Sequence, residues 1–344
     1  MMWLLGQDPQ EAIPALCELG MPRLAAKQLM QWVYRGVLSA DGMTDISKAV
    51  RATFETLGIG LNPFKQVRSY SAKGDLATKF ELTLDDGAKI ESVVLHESDY
   101  HTLCVSSQSG CPVDCRFCLT GVVGFKRQLR VDEILGQLSV AIQAGFPITN
   151  VVFMGMGEPL LNADAVLAAI DAMNAPWGFG LSKRNVTVST SGYVAGIRRL
   201  IDEKRAVNLA FSVGSPDPTI RRTIMPIEDR NPIMTVARTL KEYGALHNRK
   251  LTLEYTLLDG VNHSDQECRE LAHLAQYLDA KVNLINLNPH PKIPFRPVSE
   301  ATLQRFKTGL AKQKVPVTIR FKRGQDIAAA CGQLGESCLS TRPS

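Results

Sequence analysis

Thr102-Leu103-Cys104-Val105-Ser106-Ser107-Gln108-Ser109-Gly110-Cys111-Pro112-Val113-Asp114-Cys115-Arg116-Phe117-Cys118 is a short apolar run followed by a loop carrying three cysteines. Thr102–Ser106 reads as a strand, and Gly110 and Pro112 mark the loop. Downstream the pattern repeats as a regular alternation. Strands are expected at Asn150–Met154, Asn185–Thr190, Val207–Val213, Leu251–Leu258, Lys281–Leu287 and Val315–Phe321. Between them, amphipathic helices are expected at Val131–Ala144, Ala163–Met173, Val194–Lys204, Pro232–Tyr243, Asp265–Leu278 and Ser299–Lys312. Strand-helix alternation of this kind specifies an α/β fold of parallel strands with helices outside, as an open sheet or a barrel-like arc. Active sites in such folds gather at the C-terminal ends of the strands, where the cysteine loop lies.

Upstream the reading differs. Asp8-Pro9 opens a helix that Gly20 closes, and a second, over Arg23–Val37, puts Leu24, Leu29, Met30, Val33 and Val37 near one face. A third is expected over Ile46–Leu57. Lys79–Leu84 then alternates strictly, Asp86-Gly87 is a hairpin turn, and Ala88–Leu95 is the returning strand. The chain of 344 residues divides accordingly into a helical module (1–60), a β-hairpin extension (61–96), an α/β core (97–330) and a C-terminal segment (331–344).

The composition, 45% hydrophobic and 21% charged, is that of a globular chain with a large core and excludes collagen, disorder and a disulfide mini-scaffold. The net charge of +5 permits nucleic acid as a partner without arguing for it. The first residues lack a basic n-region, and no run nears the roughly 18 apolar residues of a membrane span, so a cytoplasmic chain with no membrane partner is expected. There thiols stay reduced, and clustered cysteines favour metal or catalysis.

Cys111, Cys115 and Cys118 form Cys-x3-Cys-x2-Cys. Structural zinc wants a fourth ligand at matching spacing, and none follows. A [4Fe-4S] cube held by three thiolates keeps one iron open for a substrate or cofactor. Val151-Val152-Phe153-Met154-Gly155-Met156-Gly157-Glu158-Pro159 ends the next strand in glycines that allow close backbone approach. Ser189, Ser212 and Asn288 sit at or just after strand ends; unaided, each is an ordinary polar strand-end residue.

The cysteine spacing resembles the radical S-adenosylmethionine superfamily, which implies a [4Fe-4S] cluster and cofactor cleavage to a 5′-deoxyadenosyl radical. Gly157 and Glu158 resemble its Gly-Gly-Glu-type element, which meets the cofactor's amino group. Taken with Thr102–Gln108, Gln31-Trp32-Val33-Tyr34, Met43-Thr44-Asp45-Ile46, Gly178–Arg184 and Ala330-Cys331-Gly332-Gln333-Leu334, the chain resembles the RlmN/Cfr family of RNA adenine methyltransferases. The resemblance implies a radical-SAM partial (β/α)6 barrel with an accessory RNA-binding domain. It implies two S-adenosylmethionine molecules per turnover, an electron donor of flavodoxin or ferredoxin type, and a monomer.

The implied site comprises Cys331 as methyl acceptor, Cys104 as the cysteine that resolves a protein–RNA adduct through a transient disulfide, and Glu91 as proton acceptor. It also comprises cofactor contacts from Gly157, Glu158, Ser189, Ser212, Val213, Gly214 and Asn288. On pattern alone, Glu91 is either a solvated edge charge paired with Lys89 or a partly buried base. The implied substrate is carbon 2 of an adenine in 23S rRNA, and also tRNA. Methylation at carbon 8, as in the Cfr branch, and a non-catalytic iron–sulfur or zinc RNA-binding protein are the rivals.

Phosphate contacts are expected at Lys183-Arg184 and Arg320-Phe321-Lys322-Arg323, with the pairs Arg198-Arg199, Lys204-Arg205 and Arg221-Arg222 as weaker candidates. Cys17, Cys268 and Cys338 match no motif. Val213-Gly214-Ser215, Leu287 and Gln325 depart from the family pattern, in which Leu-His-Ala, tryptophan and aspartate are common.

Overall fold

Ten strands form one sheet whose spatial order is the chain order, seen here in a computed structural model that describes all residues except 73, 75, 76, 98, 99, 248, 249, 321, 322 and 340–344. They are β1 (Phe64–Ser71), β2 (Ala77–Leu84), β3 (Lys89–His96), β4 (His101–Cys104), β5 (Ile148–Phe153), β6 (Val186–Thr190), β7 (Asn208–Ser212), β8 (Thr252–Leu257), β9 (Lys281–Asn286) and β10 (Val317–Ile319). β1 to β4 are antiparallel and β4 to β10 parallel. The hairpin β2–β3 therefore continues the core sheet, since β3 pairs with β4.

The helices are α1 (Pro9–Glu18), α2 (Arg23–Tyr34), α3 (Lys48–Arg51), α4 (Leu119–Val123), α5 (Val131–Gln143), α6 (Ala163–Asn174), α7 (Val194–Asp202), α8 (Pro218–Ile224), α9 (Ile233–His247), α10 (Asp265–Leu278), α11 (Glu300–Lys312) and α12 (Glu336–Leu339). From α5 onward, helices alternate with the parallel strands as their periodicity requires. Caps fix several starts: Asp8, Asp217, Ser264 and Ser299 each accept a backbone N–H of the first turn.

Three local expectations fail. The third helix is only Lys48–Arg51, because Ser47 caps it and i→i−3 bonds at Thr53 and Phe54 turn the chain so that Phe54 enters the core. Leu24 is 70% exposed, off the buried face of α2 formed by Leu29, Met30 and Val33. β1 was not expected at all. Its residues after Phe64 are exposed and carry Lys65 and Arg68, as a protected sheet edge does, so no alternation shows in the sequence.

The helical module packs on the core through one cluster of buried side chains. Tyr34 is the seam. Its ring meets Trp177 and Phe179 edge-on, with centroids 5.1 and 5.5 Å away. Its hydroxyl donates to Gln7 O at 2.7 Å and accepts from Gly6 N–H at 3.2 Å. Tyr34→Phe should cost about 1 kcal/mol, and Tyr34→Ala roughly 3–5 kcal/mol as a large core truncation; urea denaturation measures both.

Candidate active site

Cys111, Cys115 and Cys118 line a cavity at the C-terminal ends of the parallel strands. The loop that presents them is tightly wound. Gly110 has φ +77°, and a Cβ there would meet the Gly124 carbonyl, so the cysteine loop lies directly on the turn after α4. Arg116 N–H donates to Ile224 O and Leu119 N–H to Gly332 O, tying the loop to α8 and to the C-terminal segment.

Burial pushes all three thiols up, Cys111 to about 12, and their mutual charge adds to the rise at Cys111 and Cys115. Three half-buried thiols facing one space are a poor fit to protein alone, and a cationic metal group would offset the charge of their thiolates. A single zinc ion fits badly. Its sulfurs, each about 2.3 Å from the ion, would lie about 3.8 Å apart. Among the described residues, the only three His, Cys, Asp or Glu side chains with ligand atoms all within 4.8 Å of one another are Asp217, Glu267 and Glu270. A wider, multi-iron group fits the donor set better.

The glycine-rich strap after β5 forms the adjoining wall. Gly155 and Gly157 line the cavity, and Gly157 has φ +107° with Gln108 packed where its Cβ would be. Glu158 also lines the cavity, but its carboxylate is committed to the protein. One oxygen accepts Ser191 N–H and Oγ–H at 2.7 Å, and the other accepts Leu160 N–H at 3.2 Å. Burial raises its pKa, and the Ser191 bonds oppose the rise. What this strap can offer a ligand is backbone.

Ser189 and Ser212 face the same space with hydroxyls 3.4 Å apart. Gly214 lines it too, but Val213 does not. Strand alternation turns the Val213 side chain into the core, and its carbonyl is taken by Arg221 Nε at 2.9 Å. Val213 therefore offers a ligand neither its side chain nor its carbonyl.

Arg221 was read as half of a surface pair and is instead fully buried, bonded to Glu228, Val213 O, Asn231 O and Ser191 O. It thereby fixes the loops after β6 and β7. Surface carboxylates likewise engage Arg198, Arg199, Arg205 and Arg222.

Cys331 arrives from the other end of the chain. It lines the cluster-side cavity and also a second cavity below it, which Cys104 lines as well. Arg320 borders both cavities and sits close enough to the two sulfurs to act on their charge. Burial pushes Cys104 up to about 12, and Arg320 opposes that rise. Arg320, expected among the RNA-facing cations, instead lines both cavities and lies 3.8 Å from Glu254, which the sequence alone does not reveal. Phe321 and Lys322 lie outside the described residues, and Arg323 pairs with Glu97.

Asn288 also borders both cavities. Its amide donates to Cys331 O at 3.0 Å and accepts from Gln325 at 2.7 Å, so the departure at 325 helps seat the cysteine.

Glu91 is neither edge charge nor cavity wall. It is fully buried, and its two oxygens accept Gly335 N–H and Ser337 N–H, both at 2.9 Å. Lys89 reaches the Ser337 carbonyl instead, and Cys338 donates to the Lys89 carbonyl. Thr120 Oγ donates to Leu334 O at 2.8 Å. Residues 332–338 are thus held between β3 and the cysteine loop. Cys268 is buried against the Phe306 carbonyl, remote from the site.

A family model described as the radical SAM superfamily matches residues 105–274, and one for the ribosomal RNA large subunit methyltransferase N-terminal domain matches residues 3–58. The chain is 41% identical over 336 residues to the dual-specificity RNA methyltransferase RlmN of Halorhodospira halophila, covering 96% of this chain and 92% of that one. With RlmN of Marinobacter nauticus the identity is 41% over 342 residues, with the same coverage. A radical SAM methyltransferase from Sphaerobacter thermophilus has the same fold, with a TM-score of 0.92 at 38% identity over 97% of this chain and 99% of that one. The fold, the cysteine loop, and relatives matched along nearly the whole chain agree: this protein belongs to the RlmN family of radical SAM RNA methyltransferases, which work with a [4Fe-4S] cluster and S-adenosylmethionine.

Proposed function

We propose that this enzyme methylates carbon 2 of an adenine in 23S rRNA, and also in tRNA, as a monomer acting through Cys331. The observation that carries the reading is the placement of Cys331. It borders the cavity of Cys111, Cys115 and Cys118 on one side and shares the cavity of Cys104 on the other. Dual RNA specificity is supported by the names of the relatives.

Cys111, Cys115 and Cys118 would hold the cluster, and Gly157, Glu158, Ser189, Ser212, Gly214 and Asn288 would surround S-adenosylmethionine. When bound, the cluster, reduced by a donor of flavodoxin or ferredoxin type, and two S-adenosylmethionine molecules per turnover supply a methyl group and hydrogen-atom abstraction. An adenine ring carbon is too weak a nucleophile to take a methyl cation directly. Cys331 sulfur takes it first, as a thioether, and presents the carbon to the ring. Once the carbon has joined the ring, Cys104 as thiolate accepts the ring proton, and the adduct's unpaired electron would return to the cluster. Cys104, deprotonated again, attacks the Cys331 sulfur, and the carbon–sulfur bond breaks as the S–S bond forms. The released carbon takes a proton to become the methyl group, and the donor's electrons restore the two thiols. Both thiols are free in the structure, as the start of this cycle requires. Glu91 seats the segment that carries Cys331.

Nucleoside mass spectrometry of RNA incubated with cluster-loaded enzyme, S-adenosylmethionine and reductant tests the reading. 2-Methyladenosine is expected; 8-methyladenosine would assign the Cfr-type reaction, and absence of 5′-deoxyadenosine would point to a binding protein. Cys331→Ala should abolish methylated product, whereas Cys104→Ala should leave RNA covalently attached, seen as a shifted band on denaturing gels. Because the raised pKa keeps Cys104 a neutral thiol at pH 7, release of the adduct should accelerate about tenfold per pH unit between pH 7 and 9 in rapid-quench single turnovers. Glu91→Ala strands two buried N–H groups, at roughly 1–3 kcal/mol each. It should slow Cys331 methylation, read by intact mass. Normal Cys331 methylation with trapped RNA would instead make Glu91 the proton acceptor.

A further inference from the structure

A thiol accepts a proton only as its thiolate, and burial favours the neutral form of Cys104. A base at this position needs a counter-charge beside it. Among the described residues, its neighbours in the sheet do not supply one. Cys104 pairs with Val93 of β3 and Val152 of β5, both apolar. Glu91 of β3 is a carboxylate already bonded to Gly335 and Ser337 N–H. His96 and His101 turn to the other face, against Phe146. In the cavity that Cys104 lines, Arg323 is taken by Glu97, and Cys331 would add a like charge. Tyr100, Arg184 and Lys281 lie at the N-terminal ends of their strands, whereas Cys104 ends β4.

Arg320 is the exception. Met154, Ile285, Asn288, Arg320 and Cys331 line both cavities, and of these only Arg320 carries a permanent charge. Its Nη1 donates to Met154 Sδ at 3.5 Å. Met154 lies two residues beyond Val152, the strand partner of Cys104, and so shares the face of Cys104 further up the sheet. The Met154 N–H also bonds the Cys104 sulfur. The guanidinium thus stands where that sulfur meets the cavity, and it acts on the sulfur's charge.

The other side of Arg320 is held loosely. Glu254 of β8, Asn283 of β9 and Thr318 of β10 are successive cross-strand partners. Thr318 Oγ donates to Asn283 Oδ1 at 2.6 Å, so it is the amide nitrogen of Asn283 that donates to Glu254 Oε1, at 2.9 Å. This row presents Glu254 Oε2 to Arg320 Nε across 3.8 Å, beyond hydrogen-bond length. Arg323, by contrast, grips Glu97 with two nitrogens, at 2.5 and 2.9 Å. Arg323 is spent on its carboxylate, whereas Arg320 is positioned by one and keeps N–H groups for a second anion.

We infer that Arg320 is the counter-charge of the Cys104 thiolate in the proton-transfer step. This rests on the proposed RNA methylation and assigns what makes Cys104 a base in it. The ring C–H bond of the adduct breaks with its proton passing to the Cys104 sulfur and its electron pair staying in the ring, from which the unpaired electron leaves for the cluster. The guanidinium balances the sulfur's charge before the transfer and gives up no proton itself.

The test is alkylation of the cluster-loaded full chain by iodoacetamide without oxygen, S-adenosylmethionine or RNA, at about pH 8, followed at each cysteine by peptide mass mapping. An adjacent cation lowers an acid's pKa by about 1–3. Losing the smallest such effect cuts the thiolate about tenfold and raises its nucleophilicity, for a reaction about threefold slower. Arg320→Gln should therefore slow Cys104 about threefold or more, and Arg320→Lys, which keeps the charge, should restore most of the rate. Cys268, buried and remote, reports folding by an unchanged rate. If Arg320→Gln exposes Cys268, Arg320→Met is read in its place. An unchanged Cys104 rate, or a lysine variant as slow as the glutamine one, would overturn the assignment. So would a variant that only raises KM for S-adenosylmethionine, since Arg320 would then serve the cofactor. Wild-type enzyme that yields no methylated adenosine would refute the proposed function instead, and the alkylation rates would still show whether Arg320 governs Cys104.

Discussion

Two backbone N–H groups, of Gly335 and Ser337, end on the single buried carboxylate of Glu91, and the position of Cys331 depends on that pairing. A carboxylate removed from water is costly unless its oxygens are satisfied, and here each accepts a backbone N–H. The arrangement is mutual: the segment satisfies the charge, and the charge fixes the segment. Asn288, Thr120 and Leu119 complete the seating from β9 and the cysteine loop. Without such anchors, a short terminal stretch would gain too little from burial to offset its conformational entropy.

The same economy governs the rest of the site. Polar groups that look available are largely engaged by the protein: Glu158 with Ser191 and Leu160, Arg221 with the loops after β6 and β7, Asn288 with Gln325 and Cys331. Among the described residues, the cavity groups left for ligands are few: the three thiols, the glycine backbone and two serine hydroxyls. Glu254 is already held, by Asn283 at 2.9 Å and by Arg320 at 3.8 Å. A site built this way is rigid before anything binds, which favours chemistry that must separate donor and acceptor across one sulfur atom.

Elements that bury a periodic face were legible: the alternating strands and helices from β4 to α11 have bounds within a few residues of those read from pattern, because the core imposes the period. The cluster motif was legible because its ligands are adjacent in sequence. Misreadings fell where tertiary contacts replace local preference. α3 stops after four residues so that Phe54 can pack, and β1 shows no pattern because its outer residues meet solvent. Val213 was grouped with Ser212 and Gly214 on the family resemblance, but strand alternation turns its side chain into the core.

By itself, the sequence determined the α/β order, the three-cysteine loop and the presence of two further cysteines in a family pattern, since each is carried by local spacing or periodicity. Only the tertiary structure decided which charges are free and which are spent. Arg184 and Lys281 lie open beside a cavity, while Arg198, Arg199, Arg205, Arg221 and Arg222 are paired, and nothing in a dipeptide of basic residues distinguishes the two cases. It also showed Glu91 buried and bonded to the segment that carries Cys331, where pattern alone left an edge charge or a partly buried base. The reason is physical: a side chain's role follows from what its charged atoms meet after the chain closes, and Glu91 meets a segment that begins 240 residues later.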